Sequence, residues 1–184
     1  MRVRYISVKV MVLIAFLFVG AAFAGNVYLK KYRASSFRGD PNDIEKGMSA
    51  YRTSKDKLLN YRIETKTGNA LIININDGAK KGSRKVIEIP AYVDGHKVTL
   101  IDAIDSNVME TLILPDTVEQ IREQVGRFST HLKYVYCKGT HLTYVRDDVF
   151  DNFNGTVYTT KGNVLYQYCI KNKKKVKDYQ VPKV

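Results

Sequence analysis

Two thiols, three imidazoles and a handful of clustered carboxylates are the groups in this 184-residue sequence with the chemistry to catalyse a reaction or hold a metal. A cysteine becomes a nucleophile only beside a base that keeps it as thiolate, and neither Cys137 nor Cys169 has a histidine placed for that role. His96, His131 and His141 do not fall at the spacings of metal ligands. Asp147, Asp148 and Asp151 suggest a calcium loop, but the glycine and closing glutamate of such a loop are missing. Together with Asp102 and Asp105 they read as solvated turn residues. No serine elbow, zinc-binding histidine pair or phosphate-cradling glycine loop is present. Asn154-Gly155-Thr156 fits a glycosylation acceptor but reads as a turn. The expectation is therefore no enzyme, no cofactor and no metal. The two cysteines read as separate buried thiols, with a disulfide as the alternative in an oxidising compartment.

Recognition chemistry is better represented. The sequence holds 13 tyrosines and no tryptophan. In Leu132-Lys-Tyr-Val-Tyr-Cys137, if the apolar Leu132, Val135 and Cys137 face inward, Lys133, Tyr134 and Tyr136 face out. A related segment, Met109 to Pro115, turns Glu110, Thr111 and Ile113 outward, and Tyr158 extends the row. Outward tyrosines on a rigid sheet offer a flat apolar ring with a polar tip at low entropic cost. Tyrosine also simply favours strands, so the same row fits a covering for the core edge. Thr111, Ile113, Lys133, Tyr134, Tyr136 and Tyr158 form the candidate ligand-binding set. A second candidate surface is the basic run Lys171-Asn-Lys-Lys-Lys175 with Lys177 and Lys183. It is either a solvated end or a patch drawn to anionic wall polymers or lipid head groups.

The elements that must position these residues are short and strand-like. Tyr61 to Thr65 and Ala70 to Ile75 flank Thr67-Gly68 as a hairpin, and Asp94-Gly95 between Tyr92-Val93 and Val98 signals another. Beyond them lies an internal repeat. Met109 aligns with Leu132, Leu112 with Val135 and Leu114 with Cys137, each 23 residues apart. Val118/Ile121 and Leu142/Val145 follow as a second apolar pair, then Phe128 and Phe150. Ile87-Glu-Ile89 is an earlier copy and Val157-Tyr-Thr159 a final one. A unit with one apolar edge cannot bury it alone, so such copies stack.

The segments Ile87-Glu-Ile-Pro90 through Ile101 and Leu112-Ile-Leu-Pro-Asp-Thr-Val-Glu-Gln-Ile121 resemble the BspA-type leucine-rich repeats of bacterial surface proteins. The likeness covers residues 60–175. The family's alanine-phenylalanine pair is replaced by Arg127-Phe128 and Val149-Phe150, and the loop at 103–108 is short. The resemblance implies a mainly β fold with short helices. It would be a leucine-rich-repeat solenoid of about three units, between N-terminal β-hairpins and a C-terminal helix. It also implies a secreted or surface-displayed, adhesin-like module with a protein or glycan ligand.

Charge and hydropathy complete the layout. Residues 1–60 carry 11 Lys/Arg against 4 Asp/Glu, residues 61–169 carry 13 against 13, and residues 170–184 carry 6 against 1. The net charge of +12 thus sits at the two ends, which argues against a nucleic-acid-binding domain, where the folded face itself is basic. Arg2, Arg4 and Lys9 precede the apolar run Val10 to Ala24, which ends in Ala22-Phe-Ala24. That pattern predicts a secretory signal peptide at 1–24, with an uncleaved signal anchor as the rival. Residues 25–59 read as a spacer with weak helical phasing, and 60–180 as the repeat domain.

Overall fold

A strand that alternates apolar and polar residues buries only one face, so each short segment needs neighbours on both edges and a layer beneath. The computed structural model describes residues 47–76 and 84–180, and there the chain meets both needs by coiling. The strands begin with β1 (Arg52–Thr53), β2 (Leu59–Ile63) and β3 (Ala70–Ile75). Then come β4 (Val86–Glu88), β5 (Tyr92–Val93) and β6 (His96–Ile101). The next turns supply β7 (Thr111–Leu114) with β8 (Gln120–Ile121), and β9 (Tyr134–Cys137) with β10 (Tyr144–Val145). The last comprises β11 (Thr156–Thr159), helix α1 (Val164–Lys171) and β12 (Lys175–Asp178).

The result is a β-solenoid of about four turns. One wall is a five-stranded sheet ordered β12-β11-β9-β7-β4, parallel throughout. The other is ordered β1-β2-β3-β6-β8-β10, with β5 paired to β6 as a seventh strand. Its β1-β2-β3 portion is antiparallel, and from β3 onward the pairs along that order are parallel. In the fourth turn α1 stands where the second wall would gain a strand, and it packs on β10, β11 and β12.

The core lies between the walls as two facing ladders. Ile87, Leu112, Val135, Val157 and Val176 are in register across the five-stranded sheet. Ile101, Ile121 and Val145 are in register across the other. The 23-residue pairing of Leu112 with Val135 and of Leu114 with Cys137 is the observed register. Backbone geometry constrains the chain at two points. Asp94 (φ 49°) and Gly95 (φ 91°) both sit in the left-handed region, as a tight hairpin requires. A Cβ on Gly155 would strike the Lys133 carbonyl, which accepts the Thr156 N–H at 2.8 Å.

Several expectations need correction. Residues 47–59, read as the end of a spacer with helical phasing, contain β1 and a bridge from Met48 to Glu64, so folded structure begins ahead of Asn60. Phe128 does not mirror Phe150. Phe150 is fully buried, whereas Phe128 is exposed with the Arg127 guanidinium 5.5 Å from its ring centre. The buried residue of that turn is Val125, which bridges Ile104 on one side and donates its N–H to the Val149 carbonyl on the other. The basic run is not a loose end up to Asp178, because Lys175–Asp178 is strand β12. Among the described residues there is one helix of α type, and the turns number about four, not three. The predicted signal segment and residues 25–46 lie outside the described residues, which fall within a unit spanning Ile44–Val184. Among the described residues, no helix is long and apolar enough to cross a membrane.

Candidate functional site

The parallel sheet turns alternate residues outward, and its register lines them up in two rows across five strands. Val86, Thr111, Tyr134, Thr156 and Lys175 make one row. Glu88, Ile113, Tyr136, Tyr158 and Lys177 make the other. The sheet thereby gathers the tyrosines and two lysines of the basic run, Lys175 and Lys177, which the sequence presents as two separate surfaces, onto one face.

The second row packs against itself. The Tyr136 and Tyr158 rings stack at 4.5 Å between centres with planes 11° apart. The Lys177 ammonium lies 6.0 Å from the Tyr158 ring centre, within reach of a cation–π attraction. Ile113, next to Tyr136 in the row, keeps only 9% of its surface exposed. It faces outward by register but is already covered, which removes it from the exposed set expected from alternation. In the first row Tyr134 is 40% exposed and meets Tyr158 edge to face at 6.2 Å. Thr111 and Thr156 are half-buried, and Lys133, just before β9, is exposed. Lys175, Lys177 and the exposed edge residue Val86 join the face, and alternation within a charge run gave little signal for them.

Charge on this face is unevenly spent. Glu110 is gripped by Lys133 and Lys85, each at 2.8 Å. Hydrogen bonds from Lys133 and then Lys85 hold its carboxyl down at about 2. Lys133 is correspondingly raised, mainly by its hydrogen bond to Glu110. Lys175 and Lys177 have no ion-pair partner among the described residues. Burial pushes the Tyr136 phenol up, reinforced by the neighbouring Tyr158 and Tyr134 and by a hydrogen bond with Tyr158.

The groups weighed for catalysis are occupied otherwise. Cys137 and Cys169 are free, buried thiols. Burial pushes both up to about 12, so neither supplies a thiolate near neutral pH. His96 Nδ1 lies 2.9 Å from the Gly68 carbonyl and His131 Nδ1 2.8 Å from the Asn107 carbonyl, so both rings tie neighbouring turns together. Several acids do the same. Asp105 Oδ1 accepts the Phe128 N–H at 3.0 Å, Asp148 pairs with Arg146 at 2.6 Å, and Asp116 accepts the Thr140 N–H at 3.2 Å. Among the described residues no three His, Cys, Asp or Glu side chains gather as a metal site would need.

No protein-family model matches the chain, and no curated protein or solved structure matches it significantly.

Proposed function

We propose that the protein is a non-enzymatic binding module of the leucine-rich-repeat type, secreted or displayed at a cell surface, which holds a protein or glycan ligand on the outer face of its five-stranded sheet. The observation that carries this reading is Tyr134, exposed on a rigid parallel sheet beside the Tyr136–Tyr158 stack. A ring held this way offers contact area with little rotamer freedom left to lose. In this reading the antiparallel β1-β2-β3 portion and α1 are the end caps that a repeat array requires. Export rests on the basic-then-apolar pattern of residues 2–24 and the alanines at 22 and 24. The resemblance to BspA-type repeats supports an adhesin-like role.

A second reading is electrostatic attachment to anionic envelope polymers or lipids through the basic termini, with the repeats as scaffold. The unpaired Lys175 and Lys177 favour it. The two readings separate in a pull-down with purified cell envelopes. Tyr144 is a suitable control, being 48% exposed on the other sheet. The leading reading expects Tyr134→Ala to abolish retention while Tyr144→Ala leaves it intact, with modest sensitivity to salt. Retention that ignores Tyr134→Ala and collapses as the Debye length shrinks to about 8 Å near physiological salt would favour electrostatic attachment instead. Lysine-to-glutamine changes are the right probe of the tail, since truncation at 173 would strip β12 from β11.

A further inference from the structure

We infer, building on the proposed binding face, that its ligand is a linear acidic polysaccharide. The polymer crosses β9, β11 and β12 with its carboxylates or sulfates against Lys175 and Lys177 and a sugar ring on Tyr134. Tyr158 has Tyr136 stacked on it and the Lys177 ammonium within 6.0 Å of its ring centre. What the second row presents to solvent is therefore chiefly ring edges and hydroxyls. An aromatic edge carries the positive part of the ring quadrupole, and a phenol donates a hydrogen bond, so both favour anions and hydroxylic ligands.

The lysines sharpen this. Lys175 and Lys177 alternate on one strand, about 6.6 Å apart along it. The outward positions of β9, β11 and β12 are Tyr134, Tyr136, Thr156, Tyr158, Lys175 and Lys177, and none is acidic. The nearby Glu110 is already neutralised by Lys133 and Lys85, and Asp178 at the end of β12 accepts the Lys161 N–H at 3.1 Å. An anion approaching β12 thus meets two outward cations, and the one carboxylate on those three strands, Asp178, lies at the end of β12 out of the row of Lys175 and Lys177, with its Oδ1 taken up by the Lys161 and Tyr179 N–H groups.

Carbohydrate fits better than an acidic peptide. A peptide gains affinity by sinking side chains between rows, but the Tyr134 ring meets Tyr158 edge to face across that interval. A sugar ring presents a flat C–H face that matches the exposed Tyr134, and its hydroxyls match the phenols and the Thr156 hydroxyl. Lysines on an edge strand also discourage strand-to-strand aggregation, and that role alone would leave ligand binding untouched when they are neutralised.

The test is calorimetric titration of the full chain with polygalacturonate, with dextran as the neutral polymer, across a salt series. Poly-L-glutamate, a single-stranded oligonucleotide and phosphatidylglycerol vesicles supply the same charge from other sources. Polygalacturonate should bind, more weakly as salt rises, and dextran should not. Lys175→Gln with Lys177→Gln should weaken it by roughly tenfold or more and flatten the salt dependence. Tyr134→Ala should weaken polygalacturonate and leave any residual binding of poly-L-glutamate unchanged. All variants should melt as the parent does. Equal or tighter binding of polyglutamate, oligonucleotide or vesicles overturns the carbohydrate assignment, as does polygalacturonate binding indifferent to the lysine pair or no binding at all. If polygalacturonate fails while Tyr134→Ala still abolishes envelope retention, this inference falls and the broader binding reading stands. If both fail, both fall.

Discussion

The two walls of the solenoid are built by the same turns yet end up chemically opposite on their outer faces. The five-stranded wall keeps unbroken parallel register from β4 to β12, and its outward rows hold tyrosine, threonine and lysine from β9 to β12, with Val86, Glu88, Thr111 and the covered Ile113 on β4 and β7. The other wall has register shifts at Asn60/Tyr61 and Ala70/Leu71 and shrinks to two-residue strands at β8 and β10. Near β3 and β6 its outer side is apolar and closed, with Leu71, Leu100 and Met48 buried together. Arg62 is buried on the adjacent strand, with its Nε lacking a hydrogen-bond partner. One wall spends the outer surface near β3 and β6 on burial, and the other keeps a polar-aromatic surface open from β9 to β12. The same repeat can do both because only the inward residues must be apolar in every turn.

That contrast predicts which substitutions harm the fold and which harm only binding. The largest effect belongs to the shared inner ladder. Leu112→Ala should cost about 2–5 kcal/mol, and Val135→Ala less, because each empties a fully buried rung. Urea midpoints for both that equal the parent's would show that the rungs are misassigned.

Next comes the division within the proposed binding face. Tyr136→Ala unstacks Tyr158 beside its register partner Ile113, so it should lose roughly the 0.5–1.5 kcal/mol of an aromatic pair. Tyr134→Ala gives up an edge-to-face contact at a more exposed site, and thermal melts should place it closer to the parent. Were Tyr134→Ala the more destabilising of the two, the self-packed and open rows would have to be exchanged.

The smallest effect is electrostatic. The folded Glu110 carboxyl is held near about 2 against an ordinary 4.5, chiefly by its hydrogen bonds from Lys133 and Lys85. A depressed carboxyl stabilises the fold fully above its unfolded value and loses that contribution as pH falls through its folded one. Parent and Glu110→Gln should therefore differ most above pH 4.5 and converge toward pH 2. The gap should be small and shrink with salt, since the pairs are solvent-exposed. A gap that widens on acidification would contradict the clamp.

How much of this was written legibly in the sequence depends on how many apolar residues each element spends. β7 and β9 carry two or more inward apolar residues at a fixed 23-residue offset, so their register could be read directly. Both glycine hairpins declared themselves through turn chemistry. β12 stayed hidden because Lys-Val-Lys-Asp contributes a single inward apolar residue, Val176, inside a charge run. Phe128 misled because its size and hydrophobicity suggested a core position, whereas the smaller Val125, in line with Ile104 and Val149, is the residue that turn buries. The candidate face was half legible. Alternation correctly turned Tyr134 and Tyr136 outward, but it carries no information on what neighbouring turns lay over Ile113. Nor could it bring Lys175 and Lys177 beside Tyr134 and Tyr158, since that juxtaposition exists only once β12 has paired with β11.

The claim that binding belongs to the five-stranded wall is tested most directly by hydroxyl-radical footprinting of the full chain, alone and with cell envelopes or polygalacturonate. Tyr134 and Tyr144 start with similar exposure on opposite walls, so each controls for the other. The account predicts that ligand protects Tyr134 and leaves Tyr144 as reactive as before. Protection of Tyr144 with Tyr134 unchanged would contradict it and move the binding surface to the other wall.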